Sequence, residues 1–261
     1  MSLEIDPIKS KIKSDIKIPP VQMSKHIPKF GDGSSIMMVG GTGSGKTTLL
    51  IRLIKESQFY GQFFKPEDRF LFSETAKLDD LSQELGIPNN NIFDDGDDMV
   101  IIKYLDNFII NRKQKIEKTQ KLVPTLLIFE DFSSRTKVLK SKAFKFLFCA
   151  GRHLGIMNIV ITHRLTVLPP LCRHNCLYWF MFKSNNVEIE KLADEMCPSI
   201  CSKKEFVEKI KRHTAETHSF VSIFGNCDEE TRFRKKLTHI IDMTGAPKLP
   251  KTKSSNYRRD N

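Results

Sequence analysis

The sequence predicts an α/β protein built on a mostly parallel β-sheet with helices on its faces, and three stretches carry that expectation. Ile36-Met37-Met38-Val39 is an apolar run of strand length that feeds the glycine-dense Gly40-Gly41-Thr42-Gly43-Ser44-Gly45-Lys46-Thr47-Thr48, with an amphipathic helix directly behind it. Pro124-Thr125-Leu126-Leu127-Ile128-Phe129-Glu130-Asp131 stays apolar until it ends on two carboxylates. Gly155-Ile156-Met157-Asn158-Ile159-Val160-Ile161-Thr162-His163 is another buried run with polar residues at its end. A central parallel strand is covered on both faces and reads as a continuous apolar run, whereas a half-solvated strand alternates.

The first stretch satisfies G-x-x-x-x-G-K-[ST] from Gly40 to Thr47, with strand, loop and helix in the order a phosphate-binding P-loop needs. Glycines let consecutive N–H groups turn inward and form an anion nest at a positive helix N-terminus. In such a loop Lys46 reaches the β- and γ-phosphates of a nucleotide, and the Thr47 hydroxyl ligates the Mg²⁺ that bridges them. Leu49, Leu50, Leu53 and Ile54 supply the stripe that packs the helix on the sheet. Glu130 and Asp131 then supply the acids, with a carboxylate facing the metal from the C-terminal edge of a strand expected next to the P-loop strand. A strand intervening between P-loop and acid strand marks the additional-strand class of P-loop ATPases and argues against the simple kinase and GTPase layouts.

The remaining elements follow in order. Residues 1 to about 30 hold Lys9, Lys11, Lys13, Lys17, Lys25 and Lys29 around Pro19-Pro20 and read as a flexible basic lead-in. Residues 31–243 are expected to form the ATPase domain. Arg69 to Ser73 is a second strand, followed by a short helix from Leu78 to Leu85 and a breaker at Pro88-Asn89-Asn90-Asn91. Lys77-Leu78-Asp79 spells the K-x-D of a guanine-specificity loop, yet it precedes the acid strand where that loop should follow it, and it reads as a helix start. Met99, Ile102, Leu105 and Ile109 recur at helical spacing and carry a long helix toward Lys121. A helix from Thr136 to about Leu154 is expected to turn Leu139, Ala143, Phe146, Leu147 and Ala150 inward. After the break at Leu168-Pro169-Pro170-Leu171 come a strand from Leu177 to Phe182 and helices from Val187 to Met196 and Lys204 to His213. A hairpin then pairs Phe220–Phe224 with Thr231–Arg234. Residues 244–261, with Pro247, Pro250, Lys248, Lys251, Lys253, Arg258 and Arg259, read as a basic disordered tail.

Composition narrows the partners. The chain of 261 residues carries 42 lysines and arginines against 31 acidic residues, a net charge of +11, which favours a polyanionic partner over an acidic small molecule. Six cysteines, Cys149, Cys172, Cys176, Cys197, Cys201 and Cys227, are scattered in a chain with no secretory signal and are expected to be reduced. Cys172-x-x-x-Cys176, with His174 between, and Cys197-x-x-x-Cys201 have a looser spacing than structural zinc knuckles and read as packed thiols. No apolar run approaches the roughly 18 residues of a membrane span.

The segment from Cys149 to Phe182 narrows the choice further. Ala150-Gly151-Arg152-His153-Leu154-Gly155-Ile156, the strand ending Ile161-Thr162-His163-Arg164, then Leu168-Pro169 and Arg173-His174-Asn175 before the next strand, resemble the FtsK–HerA superfamily. Within it the match is to the poxvirus-type genome-packaging ATPases of large DNA viruses and virophages, over about Ile36 to Phe224. The resemblance implies a RecA-like core that assembles as a homo-oligomeric ring, a hexamer, with nucleotide between subunits and hydrolysis driving double-stranded DNA through the centre into a preformed capsid. It implies ATP and Mg²⁺ as cofactors, capsid or portal-vertex proteins as further partners, and a place in the viral factory of the host cytoplasm or in the virion. By position, Gly43 to Lys46 cradle phosphates, Thr47 holds Mg²⁺, Thr48 touches the α-phosphate, and Arg152 is the finger inserted into the neighbour's site. Where the family ends its acid strand in Asp-Asp or Asp-Glu, this chain has Glu130-Asp131, which puts Glu130 at the metal and Asp131 at the attacking water. His163 stands where the family has a glutamine that senses the γ-phosphate, and an imidazole N–H can also donate. Two other readings stand beside the motor: a nucleotide-dependent assembly protein with weak turnover, and a P-loop nucleotide kinase, which leaves Arg152 and the acid pair unexplained.

Overall fold

The computed structural model describes residues 35–61, 63–76, 80–94 and 96–243. The expected lead-in, the C-terminal tail and the Lys77-Leu78-Asp79 stretch lie outside the described residues. Nine strands are described: β1 (Ser35–Val39), β2 (Arg69–Ser73), β3 (Ile92–Phe93), β4 (Thr125–Glu130), β5 (Ile156–Thr162), β6 (Tyr178–Phe182), β7 (Phe220–Phe224), β8 (Phe233–Lys235) and β9 (His239–Ile240). They form one sheet in the order β3-β2-β4-β5-β1-β6-β7-β8-β9. Pairings from β3 through β6 are parallel, and β7, β8 and β9 continue antiparallel. The α/β class and the mostly parallel sheet are as the apolar runs indicate, since β1, β4, β5 and β6 are buried along their whole length.

One expectation about the sheet is corrected. The acid strand β4 does not lie directly next to β1, because β5 sits between them, the intervening strand that the additional-strand class implies. The reason is visible in β5 itself. All seven of its residues are buried, and the fully buried Asn158 donates to Ser35 Oγ on β1 at 3.1 Å and to the Leu147 carbonyl at 3.0 Å. Register still brings the chemistry to one edge, with Val39 opposite Thr162 and Glu130 opposite Ile161.

The helices are α1 (Lys46–Lys55), α2 (Leu81–Glu84), α3 (Asp98–Thr119), α4 (Thr136–Lys140), α5 (Lys142–Ala150), α6 (Pro170–His174), α7 (Asn186–Met196) and α8 (Lys203–Thr214). Alternate residues of the strands feed two apolar layers. Ile36, Met38, Leu126, Ile128 and Ile159 pack with Leu50, Leu53 and Ile54 of α1, while Met37, Val39, Leu127, Phe129 and Val160 pack with α3, α5, α7 and α8. Each fully buried side chain of this size contributes roughly 1.5–3 kcal/mol. On the second layer Phe93, Phe72, Phe129 and Phe144 form a row across the sheet with ring centroids 4.6, 4.8 and 5.0 Å apart.

Three helix expectations shift. Asp97 caps α3 by accepting from Met99 N, and the buried row runs Ile101, Leu105, Ile109, Arg112 and Ile116, which leaves Met99 at 56% exposure and Ile102 half-buried. The helix expected from Thr136 to Leu154 is broken at Ser141, whose extended backbone and Oγ, accepting from Phe144 N, end α4 and cap α5. Residues 151–154 follow as a 3₁₀ turn closed by Gly155 at φ 71°. Described α2 is a single turn, Leu81–Glu84, shorter than expected. The hairpin forms close to its expected register, with Ile223 opposite Phe233 and Ser222 opposite Arg234.

All six cysteines are free thiols. Cys172 and Cys176 are buried, and Cys176 Sγ donates to the Cys172 carbonyl at 3.3 Å. Burial pushes Cys172 up to about 12 and Cys176 well above its ordinary value. Cys197 and Cys201 are half-buried, and Cys149 is exposed rather than packed. No helix among the described residues is long and apolar enough to cross a membrane.

Asn158 adds two side-chain hydrogen bonds that tie β5 to β1 and α5, so Asn158→Ala is expected to lower stability by about 1–3 kcal/mol, read as a reduced midpoint in urea or thermal denaturation. A midpoint equal to the wild type's would mean that Asn158 does not tie the two strands to α5.

Candidate functional site

The site is built at the C-terminal edge of the parallel strands. Where β1 ends, Gly40 N donates to Thr162 O at 3.2 Å and Gly41 N to Lys183 O at 3.0 Å, so the loop is moored to the ends of β5 and β6. Gly40 has no room for a side chain, since a Cβ there would stand 2.6 Å from Phe182 Cβ and 2.8 Å from Ser44 Oγ. Gly43 and Gly45 take φ of 69° and 101°, the left-handed backbone that glycine adopts without strain. Gly45 opens α1 with no side-chain cap and with no acidic residue in the first turn. The positive end of α1 therefore keeps its N–H groups for an anion. Thr42, Gly43 and Thr48 are exposed along the rim of the loop, whereas Lys46 is 6% exposed.

Lys46 Nζ donates to the Gly40 and Gly41 carbonyls, each at 2.9 Å. Burial lowers its pKa, and the nearby Asp131 and Glu130 carboxylates oppose that shift. Thr47 Oγ1 donates to Glu130 Oε1 at 3.1 Å, joining the P-loop helix to the end of β4. Glu130 is 4% exposed, and its second oxygen lies 3.5 Å from Ser73 Oγ at the end of β2. Asp131 turns away in left-handed backbone at φ 47°, with its N–H on Ile161 O at 3.1 Å. His163 joins the two halves, with Nδ1 3.1 Å from the Gly40 carbonyl and Nε2 3.2 Å from Asp131 Oδ1. Both ring nitrogens face acceptors, so a neutral imidazole serves one of them at a time.

Lys46 and His163 thus meet at the Gly40 carbonyl, with Asp131 on His163 and Thr47 on Glu130 completing the cluster. A hydroxyl and a buried carboxylate side by side are hard oxygen donors of the kind that suits Mg²⁺, so the residues present fit that ion. Arg152 is not brought to this cluster. It sits exposed in the turn before β5, with Nε 3.5 Å from His153 Nε2, at the opposite edge of the sheet. The seven residues of β5 separate it from the P-loop end, a rise of roughly 20 Å at about 3.3 Å per residue.

The structure adds residues that sequence reasoning missed. Ser73, hydrogen-bonded to Thr75 at 3.1 Å, lies against Glu130; it closes an expected strand, and a polar residue at such an end was the available signal. Glu188 is buried and accepts from Leu165 N at 2.7 Å, fixing the segment after His163 to α7. His218, in the loop before β7, lies against Gly45, and nothing in its sequence context marks it.

Residues 32–232 match the family described as Poxvirus A32 protein. Uncharacterized protein 088R of Invertebrate iridescent virus 3 is 29% identical over 206 residues, covering 76% of this chain and 74% of that protein. The genome packaging NTPase B204 from Sulfolobus turreted icosahedral virus 2, in complex with AMP, superposes with a TM-score of 0.56 at 17% identity, over 80% of this chain and 98% of that one. ATPases 2 and 3 of EssC from Geobacillus thermodenitrificans give a TM-score of 0.50 at 19% identity, over 63% of this chain and 35% of that one. At these identities the two structures speak for the fold, an α/β P-loop ATPase architecture. The family match runs from just before β1 to the edge of β8 and so takes in every strand that bounds the nucleotide loop; the chain belongs to the Poxvirus A32 protein family.

Proposed function

We propose that the chain is an ATP-hydrolysing motor that drives double-stranded viral DNA into a preformed capsid, working as a ring of identical subunits. The observation that carries the reading is the contact of Thr47 Oγ1 with Glu130 Oε1 beside Lys46, the arrangement a nucleotide triphosphate and its metal need on one side of a P-loop. Family membership and the likeness to a viral genome packaging NTPase support it.

In this reading the N–H groups from Gly40 to Gly45 and the start of α1 hold the phosphates, with Thr48 at the α-phosphate. Lys46 neutralises charge between the β- and γ-phosphates. Thr47 and Glu130 would hold Mg²⁺, which supplies further positive charge to the same oxygens. Asp131 takes a proton from the water that attacks the γ-phosphorus as the bond to the ADP oxygen breaks, and His163 donates to a γ-phosphate oxygen. Arg152, remote from its own loop, is presented to the site of a neighbouring subunit, where its guanidinium offsets the charge that develops in the transition state. Net charge of +11 suits a ring that tracks DNA phosphates without reading sequence. Residues 31–243 form the motor unit, with the basic termini available to DNA or to capsid and portal proteins. The place of work is the viral factory or the virion.

The pairing of His163 with Asp131 favours a second reading, a nucleotide-dependent assembly switch in which the imidazole, not an attacking water, engages Asp131 and turnover is weak. Linear duplex DNA distinguishes the two, because a motor couples hydrolysis to its track. Steady-state ATP hydrolysis is expected to rise with DNA, with the stimulation declining as salt is raised. Lys46→Ala and Arg152→Ala are each expected to reduce turnover by about a hundredfold or more, and mixing the two variants is expected to restore part of it. DNA-indifferent turnover, or an Arg152→Ala variant equal to wild type, would remove the motor reading.

The two carboxylates are separated by a second measurement. Asp131→Asn is expected to keep Mg²⁺-dependent ATP binding while turnover falls by roughly 10²–10⁴-fold. Glu130→Gln is expected to weaken the Mg²⁺ dependence of binding itself. The reverse pattern would exchange their roles.

A further inference from the structure

His218 has no part in the chemistry at the γ-phosphate end, yet it stands on the nucleotide loop. A Cβ placed on Gly45 would meet its Nδ1 at 2.9 Å and its Cβ at 3.4 Å, so the imidazole lies against the last residue before Lys46. His218 is nonetheless an exposed residue. We propose that His218 forms the nucleoside side of the site, with its ring face stacking on the purine base of bound ATP; the assignment rests on the ATPase reading above.

Topology supplies the direction. Glu130, Asp131 and His163 all reach the loop from β4 and β5, which lie to one side of β1. A triphosphate laid along the loop with its γ end among those residues leads its nucleoside to the other side, where β6 and then β7 follow. Because β7 is antiparallel to β6, its first residue, Phe220, is level with Phe182 at the loop's edge of the sheet. The segment that enters β7 therefore crosses the nucleoside end, and His218 is in that segment. Thr48 is exposed in the first turn of α1.

The backbone supports a functional reading of the ring. His218 has φ of 57°, a conformation that costs a residue with a Cβ about 1 kcal/mol or more. It is held there from both sides of the turn. Ser219, 1% exposed, donates through its N–H to Glu216 O at 3.0 Å and through Oγ to His213 O at 3.0 Å. Gly45, in turn, sits at φ 101° where any side chain would collide with the imidazole. A histidine held in left-handed backbone against Gly45 at the mouth of a phosphate loop makes a fixed, exposed wall, and every nucleobase offers a π-face to such a ring.

Calorimetric titration with ATP and, separately, with inorganic tripolyphosphate tests this, each with Mg²⁺. His218→Ala is expected to weaken ATP on the order of tenfold and to leave tripolyphosphate unchanged, whereas His218→Tyr, which keeps a ring face, is expected to bind ATP within about twofold of wild type. His218→Asn, whose side chain tolerates left-handed backbone, should behave as the alanine variant and guards against a folding defect. ATP affinity unchanged in both ring-deleted variants would overturn the assignment, as would equal losses for ATP and tripolyphosphate, which would make His218 a support for the loop. A wild type that binds neither ligand would overturn the ATPase reading itself and this inference with it.

Discussion

The structure depends on the backbone of Gly40. Its N–H is bonded to Thr162 at the end of β5, and its carbonyl accepts from Lys46 Nζ and faces His163 Nδ1. Phe182 and Ser44 close over its Cα so tightly that no side chain fits. One unit of backbone thus sets the distance from the loop to β5, to β6 and to the lysine at once. Any residue larger than glycine would have to move β6 or the loop, and either shift misplaces groups that must be held to fractions of an ångström.

Placing β5 between the P-loop strand and the acid strand gives His163 its reach. From there the imidazole touches the loop carbonyl and Asp131 together. Glu130 takes a different path, down into the protein, where Thr47 and Ser73 flank it. Two adjacent carboxylates therefore occupy unlike environments: one is buried and bonded to hydroxyls, the other is more open and paired with a histidine. A backbone turn at φ 47° on Asp131 produces that divergence. Beneath them the row from Phe93 to Phe144 fills the sheet face with large flat rings, a stiff floor for the acids.

Much of this was legible in the chain. The P-loop, the acid pair and the β5 run announced themselves because continuous apolarity and glycine spacing are local signals. Strand order was not, since adjacency in a sheet is decided by nonlocal pairing: Asn158 meets Ser35 across more than a hundred residues. The Ser141 break was hidden because serine is tolerated inside helices, and only its cap on Phe144 discloses the stop. Ser73 and His218 escaped notice for the same reason as each other. A single polar residue at a loop or strand end gains meaning only when folding sets it beside Glu130 or Gly45.

Among the described residues both margins of the sheet are closed by very short strands, β3 and β9, of two residues each. Such margins present too few unpaired N–H and C=O groups to template another chain, so the described sheet resists extension by a strand from outside.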